Sequence, residues 1–226
     1  MEFSAVVFDL DGTLVESHID YQRMGEEIRA ALADVGLPDP PGDRREAYML
    51  VRGGAQALLE RGLPPHLVPE ALSRVEEAMN HVELEALPSL TPMPYAEEAL
   101  RRLRSLGFKL GVATRSHGAY AAQALSLLGL ERFIDGVVAR DQTSHPKPHP
   151  RHLLETINLI GASPSETLYV GVTTTDLETS RAAGVCFVGY WRSEEWARRL
   201  VEAGCRVFAR NLLEVVDFAQ GGVPPG

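Results

Sequence analysis

The stretch that decides the fold is AVVFDLDGT at residues 5–13. Its first four residues form a short apolar run typical of a buried strand, and Gly12 favours a turn after it. Asp9 and Asp11 stand two positions apart, so in extended backbone their carboxylates lean to the same side. Two such carboxylates can hold a divalent cation, or one can attack as a nucleophile while the other carries a proton.

The rest of the chain alternates between apolar runs and amphipathic segments. The predicted strands after the first lie at residues 110–114, 136–139, 168–172, 185–189 and, more weakly, 206–209. The predicted helices between and after them lie at residues 95–106, 120–128, 151–160, 176–183 and 212–219, the last capped by Asn211. This alternation predicts a three-layer, Rossmann-like α/β domain with a parallel sheet.

Residues 17–90 have a different pattern, because their apolar positions recur at helical spacing throughout. We therefore predict an α/β core domain made of residues 1–16 and 91–220, with an inserted helical domain at 17–90. Hinges are expected near Glu16 and at residues 88–94. The Gly- and Pro-rich end at 221–226 is predicted to be a disordered tail.

Bulk composition excludes several classes of protein. A net charge of −9 argues against nucleic-acid binding, and no apolar run approaches the roughly 18 residues of a membrane span. Two cysteines and no signal-peptide pattern favour a cytoplasmic location. Only two of the 22 basic residues are lysines, Lys109 and Lys147, so a lysine kept in this chain suggests a need for a compact ammonium.

Four further residues are candidates for the same site as the two aspartates. Thr114 ends a predicted strand, where ligands bind in open α/β sheets, and Arg115 next to it could hold a phosphate. Lys147 lies in the proline-stiffened loop HPKPHP at residues 145–150, directly before a predicted helix. Asp176 follows the strand at 168–172.

These motifs together resemble those of the haloacid dehalogenase-like hydrolases, and in particular the phosphoglycolate phosphatase-like members that carry a helical cap. The resemblance covers residues 9–176 and implies a Mg²⁺-dependent phosphatase acting on a small phosphorylated metabolite. It implies that Asp9 forms an aspartyl-phosphate and that Asp11 is the general acid and base. Thr114, Arg115 and Lys147 would bind the phosphate, Asp9, Asp11 and Asp176 would hold the metal, and the helical insertion would close over the site.

One position departs from the family pattern. In relatives the strand before Asp176 is followed by Gly-Asp, whereas here Val172 follows Gly171. Valine offers no metal ligand, although Mg²⁺ often keeps several waters and uses only one or two carboxylates. Three outcomes fit this change: a functional site that binds metal more weakly, a rearranged site that uses Asp176 directly, or a site that has lost catalysis.

Two other functions are compatible with the same motifs. One is a protein that binds a phosphorylated ligand or a protein partner without turnover, and the other is a phosphomutase. Dehalogenation is disfavoured because the metal-free dehalogenases lack a carboxylate at the position of Asp11. Ser17, His18, Arg52 and His117 are candidates for substrate selection by placement alone, and the sequence does not indicate the oligomeric state.

Overall fold

The computed structural model describes residues 3–37, 41, 49–51 and 53–221. The chain divides into two compact units, one of Met1–Ser17 with Ser89–Gly226 and the other of His18–Pro88. The function of the second unit as a cap stays a prediction, and Arg52 lies outside the described residues. Within the described part of the chain, no helix is long and apolar enough to cross a bilayer.

The first unit is built on a six-stranded parallel sheet. The strands of the chain are β1 (Ala5–Phe8), β2 (Val15–Glu16), β3 (Thr91–Pro92), β4 (Lys109–Ala113), β5 (Gly136–Val138), β6 (Thr167–Gly171), β7 (Cys186–Tyr190) and β8 (Phe208–Ala209). The order in the sheet is β5-β4-β1-β6-β7-β8. The remaining strands, β2 and β3, form a separate antiparallel ribbon.

Strand β1 is central because its four residues are apolar and fully buried. It pairs with β4 on one side and β6 on the other, with Phe8 in register with Val112 and Val170. After β1 the chain therefore adds β4 and β5 on one side of it, and then crosses back to add β6, β7 and β8 on the other side. The loops that follow β1, β4 and β6 meet at one edge of the sheet, which is where ligands bind in such folds.

Helices cover the sheet and fill the second unit. They are α1 (Tyr21–Asp34), α2 (Gly54–Glu60), α3 (Val68–Glu85), α4 (Ala96–Ser105), α5 (Gly118–Leu127), α6 (Pro150–Leu159), α7 (Thr174–Ala183), α8 (Glu194–Glu202) and α9 (Leu212–Gly221). Ala5 and Val7 of β1 pack with Leu153 and Ile157 of α6. The predicted three-layer α/β fold is confirmed, with strand and helix ends within a few residues of the predicted ones.

Two elements were not predicted from the sequence. Helix α8 buries Ala197 and Leu200, Ser193 caps it and two glutamates occupy its first turn, so the sequence carried local signals that the prediction did not use. The ribbon of β2 and β3 has only two residues in each strand and carries no periodic signal.

The second unit is a helical bundle in which α1 and α3 pack together. The helical spacing of Tyr21, Met24, Ile28, Ala31 and Leu32 predicts one apolar stripe, of which Met24, Ile28 and Leu32 are buried. The prediction is wrong for Tyr21, which begins α1 and is 59% exposed.

The C-terminal prediction needs one correction. Gly221 belongs to α9 and not to a disordered tail, since the helix extends to that residue. Residues 222–226 lie outside the described part. The predicted cap is confirmed, because Asn211 Oδ1 accepts hydrogen bonds from the main-chain N–H groups of Leu213 (2.9 Å) and Glu214 (3.2 Å).

Candidate active site

The site begins at the tight turn that follows β1. The main-chain N–H groups of Thr13 and Leu14 donate to the carbonyl of Leu10, and Gly12 adopts a φ of +79°, which favours glycine. This turn leaves Asp9 at the end of the strand, with its main-chain N–H bonded to the carbonyl of Val170 (2.9 Å). Asp9 therefore follows β1 directly and is bonded to the neighbouring strand β6 at the ligand-binding edge.

A buried lysine joins two of the predicted aspartates. Lys147 Nζ donates to Asp9 Oδ1 (2.8 Å) and to Asp176 Oδ1 (2.7 Å), and it also donates to Tyr169 Oη (3.0 Å). The Tyr169 hydroxyl in turn donates to Asp176 Oδ1 (2.7 Å). Only 3% of Lys147 is exposed, so these charges interact in a region that excludes most water. Tyr169, which lies in β6, was not predicted as a site residue.

The proline loop is fixed in place by the helix that follows it. His149 caps α6 by accepting from the N–H of Arg151 (3.1 Å), and Pro150 occupies the first helical position. One turn later, His152 Nδ1 accepts from the N–H of Lys147 (3.1 Å), and its Nε2 is 2.9 Å from the carbonyl of Val138. These partners assign the proton to Nε2, so His152 is neutral and ties the Lys147 loop to strand β5.

The charges in the cluster shift one another's pKa. Burial, together with the nearby Asp176 carboxylate, raises the pKa of Asp9 to about 7, in spite of its bond to Lys147. Burial alone would raise the pKa of Asp176, but the Lys147 ammonium holds it below its ordinary value. Burial would likewise lower the pKa of Lys147, but the two carboxylates hold it above its ordinary value. Lys147 is therefore charged at neutral pH. Of the three groups, Asp9 is the one whose pKa lies near 7.

Asp11 lies beside this cluster and is held by two hydroxyl groups. Ser116 Oγ donates to Asp11 Oδ2 (2.7 Å), and Tyr120 Oη donates to Asp11 Oδ1 (2.7 Å). Ser116 follows β4 and Tyr120 lies in α5. Neither hydroxyl was predicted as part of the site, because Asp11 lies more than 100 residues away from both in the chain.

The structure places the two remaining phosphate-binding candidates just after β4. Thr114 is buried at the strand end, and its Oγ1 accepts from the N–H of Ser116 (3.0 Å), which leaves its own hydroxyl proton for another acceptor. The carbonyl of Arg115 accepts from Arg140 Nη1 (2.6 Å). Phosphate binding by Thr114 and Arg115 stays a prediction.

The predicted metal ligands are largely engaged with protein donors. Asp176 Oδ2 accepts from the N–H of Val172 (3.2 Å) and from the N–H (3.0 Å) and hydroxyl (2.6 Å) of Thr173, the N-cap of α7, and so completes a capping box with that residue. Its Oδ1 already accepts from Lys147 and Tyr169. These five bonds count against direct metal ligation by Asp176. In the described part of the chain, no three histidine, cysteine or carboxylate residues are grouped to hold a metal ion.

An arginine that the sequence did not single out lies against the same turn. A Cβ built on Gly12 would stand 2.8 Å from Arg192 Nη1 and 3.4 Å from Val172 Cγ1. Arg192 follows β7, and its Nη2 forms an ion pair with Glu16 of β2. Arg192 follows a predicted strand, and this was the one feature of the sequence that could have indicated a role at the site. No local sequence pattern indicated that Arg192 contacts Gly12.

Comparison with known proteins agrees with this arrangement. Residues 3–184 match the family description of the haloacid dehalogenase-like hydrolases. The chain is 31% identical over 179 residues to a phosphoglycolate phosphatase of Aquifex aeolicus (strain VF5), covering 79% of this chain and 80% of the relative. It is 31% identical over 204 residues to the pyrophosphatase PpaX of Halalkalibacterium halodurans, covering 88% and 90%.

Solved structures support the fold. A crystal structure of a hydrolase from Pseudomonas syringae superimposes with a TM-score of 0.69 at 23% identity, covering 95% of this chain and 96% of that one. The match to the family extends from the strand that carries Asp9 to the end of α7, and so it includes the whole cluster around Lys147. The chain therefore belongs to the haloacid dehalogenase-like hydrolases, among members that are similar to phosphoglycolate phosphatases.

Proposed function

We propose that this protein hydrolyses phosphoric monoesters of small metabolites through an aspartyl-phosphate on Asp9. The observation that carries the proposal is the pairing of a buried carboxylate with a buried ammonium, Asp9 Oδ1 to Lys147 Nζ at 2.8 Å, next to a second carboxylate held by two hydroxyls. The relatives named above support the class of reaction, since both are named as enzymes that act on phosphate compounds.

In the first step the Asp9 carboxylate attacks phosphorus. Oδ2 is the less engaged oxygen, because its one described contact is a long hydrogen bond from the Thr13 hydroxyl (3.3 Å). A bond forms between Oδ2 and phosphorus, and the bond from phosphorus to the ester oxygen breaks. Asp11 in its protonated form gives its proton to that leaving oxygen. Lys147 neutralises charge on the attacked phosphoryl group.

In the second step Asp11, now a carboxylate, takes a proton from a water molecule that attacks the same phosphorus. The bond between phosphorus and Asp9 breaks, which restores the Asp9 carboxylate and releases orthophosphate. Ser116 and Tyr120 hold Asp11 in one orientation for both proton transfers. Thr114 is proposed to donate its hydroxyl proton to a phosphoryl oxygen.

The resemblance to this family implies magnesium as the cofactor. The donor set of this chain fits it poorly, because Val172 has no oxygen in its side chain and both oxygens of Asp176 are occupied. The steps proposed here therefore run on the chain's own groups.

The helical unit at His18–Pro88 is proposed to act as the cap that selects the substrate. Ser17 and His18 stand at the boundary between the two units and are candidates for contact with the leaving group. A cytoplasmic location is part of the proposal, and the free thiols of Cys186 and Cys205 support it.

The test is turnover of 4-nitrophenyl phosphate and a panel of small phosphate esters by the purified protein. We expect Asp9→Asn to abolish hydrolysis, and acid quenching of the wild type to leave a phosphoryl group on the intact protein, detected by mass spectrometry. Asp217→Asn is the matched control, because Asp217 is exposed on α9 and the change removes the same charge. Full turnover in Asp9→Asn would dismiss Asp9 as the nucleophile.

A second function rests on a specific observation, the apolar Val172 at the edge of the site. In that case the protein binds a phosphorylated ligand and does not turn it over. If the wild type binds phosphate but hydrolyses no ester in the panel, the hypothesis of a binding protein without turnover is favoured. A phosphomutase would be recognised by transfer of the phosphoryl group to a sugar acceptor in preference to water.

A further inference from the structure

Three features of the chain converge on the turn after β1. The guanidinium of Arg192 packs against Gly12, and a Cβ at Gly12 would stand 2.8 Å from its Nη1. A methyl group of Val172 borders the same point at 3.4 Å. Arg192 and Val172 are thus neighbours beside the loop that carries Asp9 and Asp11.

One contact holds the guanidinium of Arg192 and another holds its main chain. Arg192 Nη2 pairs with the carboxylate of Glu16, and its main-chain N–H donates to the carbonyl of Tyr190 (2.9 Å). The side chains of Arg192 and Glu16 are 28% and 29% exposed, so the ion pair is partly shielded from water and still open to a small solute. An arginine has five N–H donors in a planar fork, and one pairing with Glu16 leaves donors for a second anion.

The charges of the site explain why such a cation is needed. Asp9, Asp11 and Asp176 are three acidic groups, and Lys147 is the one ammonium that contacts them in the described part of the site. A phosphoryl group brings further negative charge, and its hydrolysis is among the slowest of uncatalysed reactions, so electrostatic stabilisation must be large. A magnesium ion would normally reduce this imbalance.

Two residues make the site less suited to a divalent metal ion and more suited to an anion. Val172 provides no oxygen where the family pattern has a carboxylate, and Arg192 brings a permanent positive charge to the same place. A divalent cation beside Gly12 would meet repulsion from the guanidinium and lack a ligand from Val172. A phosphoryl oxygen at that place would instead meet a donor.

We propose that Arg192 supplies the cation of this site, binding the phosphoryl oxygens beside Gly12 in the place that a divalent metal would otherwise take. The inference rests on the proposed phosphoryl chemistry at Asp9, and it deepens that proposal by naming the group that carries the positive charge. It makes phosphate binding, and hydrolysis where it occurs, independent of added metal.

The first experiment measures binding of inorganic phosphate by calorimetry in the presence of EDTA. We expect the wild type to bind phosphate without metal, Arg192→Gln to weaken binding at least tenfold, and Arg192→Lys to restore part of the loss. Arg199→Gln is the matched control, because Arg199 also pairs with a glutamate, Glu195, but lies on the exposed face of α8. Equal phosphate affinity in wild type and Arg192→Gln, with unchanged thermal unfolding, overturns the inference.

The second experiment follows Mn²⁺ by electron paramagnetic resonance as a probe of metal binding. We expect no tight binding by the wild type and a gain of binding in the double variant Val172→Asp/Arg192→Gly. Tight binding by the wild type that is lost in Asp9→Asn overturns the inference, even if hydrolysis at Asp9 is established. The two proposals can also fail separately. If the wild type binds phosphate through Arg192 but hydrolyses no ester, the role of Arg192 is supported and the proposed function is wrong.

Discussion

The ammonium of Lys147 makes hydrogen bonds to Asp9, Asp176 and Tyr169, all at 3.0 Å or less, in a region that is almost fully buried. Taking charges out of water is costly, and the mutual attraction of buried ions offsets that cost only while every partner is present. The intact cluster therefore adds little to the free energy of unfolding. Removal of one member is strongly destabilising, because it leaves a buried charge without its partner.

The two lysines of the chain allow a direct test of this asymmetry. Lys147→Met leaves the carboxylates of Asp9 and Asp176 buried without their cation, so we expect the free energy of unfolding to fall by about 3–5 kcal/mol. Lys109→Met, at an exposed lysine, is expected to change it by less than about 0.5 kcal/mol. Urea unfolding of the three proteins measures both values, and a similar loss for both variants would contradict the prediction.

The hydroxyls that hold Asp11 are expected to affect turnover more than substrate binding. Removing them in Ser116→Ala or Tyr120→Phe frees the carboxylate to rotate away from the leaving oxygen, so kcat should fall about 10- to 100-fold, part of the contribution of a positioned acid or base. KM should change little. Tyr95→Phe, at an exposed tyrosine, is the control. A rise in KM at constant kcat would mean that these hydroxyls bind substrate instead.

The pKa of Asp9 predicts the pH dependence of turnover. The nucleophile must be ionised, and burial together with Asp176 raises the pKa of Asp9 to about 7. Activity should therefore rise with pH through about 7 and be lost below it. Initial rates with 4-nitrophenyl phosphate between pH 5 and 9 give the profile. A phosphate ester has its own ionisation near pH 6, so an ascending limb centred there would point to the substrate and not to Asp9.

At the scale of elements, helix α6 is what brings Lys147 to the sheet. His152 in its first turn bonds to the N–H of Lys147 and to the carbonyl of Val138, and it is fully buried. Burial lowers the pKa of His152 to about 4 from an ordinary value of 6.5. The contact between this helix, the loop and β5 therefore depends on a neutral imidazole.

The sign of the resulting pH effect on stability follows from that shift. Because the unfolded chain takes up a proton near pH 6.5 and the folded one only near pH 4, the contribution of His152 is complete above pH 6.5. It is lost as the pH falls from 6.5 to 4, at about 1.4 kcal/mol per pH unit. Asp9, with its pKa raised to about 7, shifts stability in the opposite direction over this range in all three proteins, so the test is the difference between proteins. The stability of the wild type and of His66→Gln, an exposed control, should fall relative to that of His152→Gln as the pH is lowered from 6.5 to 4, as measured by urea midpoints. Parallel curves for all three proteins would refute the assignment.

At the scale of the whole molecule, the chain forms two units with separate interiors. Leu100 of α4 is fully buried in the unit that contains the sheet, and Ile28 of α1 is fully buried in the helical unit. The sheet unit is built from two segments that are far apart in sequence, since Met1–Ser17 contributes the central strand to a core otherwise made by Ser89–Gly226. The functional site described here lies entirely within that unit.

Separate cores predict separate responses to truncation. Ile28→Ala and Leu100→Ala each remove buried methyl groups and should cost about 2–5 kcal/mol in the unit that contains them. In scanning calorimetry we expect each variant to lower the temperature of one transition and leave the other within a few degrees. If both variants shift a single common transition equally, the two units unfold as one cooperative body.

Much of the fold was accessible from the sequence because its signals are local. Apolar runs, the cap at Asn211 and the turn at Gly12 are read within a few residues, and they predict the strands, the helices and their parallel arrangement. The convergence of Asp9 and Lys147 also follows, because parallel strands bring their carboxyl ends to one edge. Helix α8 was missed although its capping serine and amphipathic pattern are local signals, whereas each strand of the β2–β3 ribbon has only two residues and gives no periodic pattern.

What the sequence by itself determined, then, is the α/β sheet and the identity of the acidic and basic groups at its edge. The tertiary structure alone decided their distant partners: the hydroxyls on Asp11 and the approach of Arg192 to Gly12. The physical reason is that such contacts join side chains 100 or more residues apart, or depend on how a short loop leaves its strand. Local periodicity carries no information about which distant donor meets which acceptor.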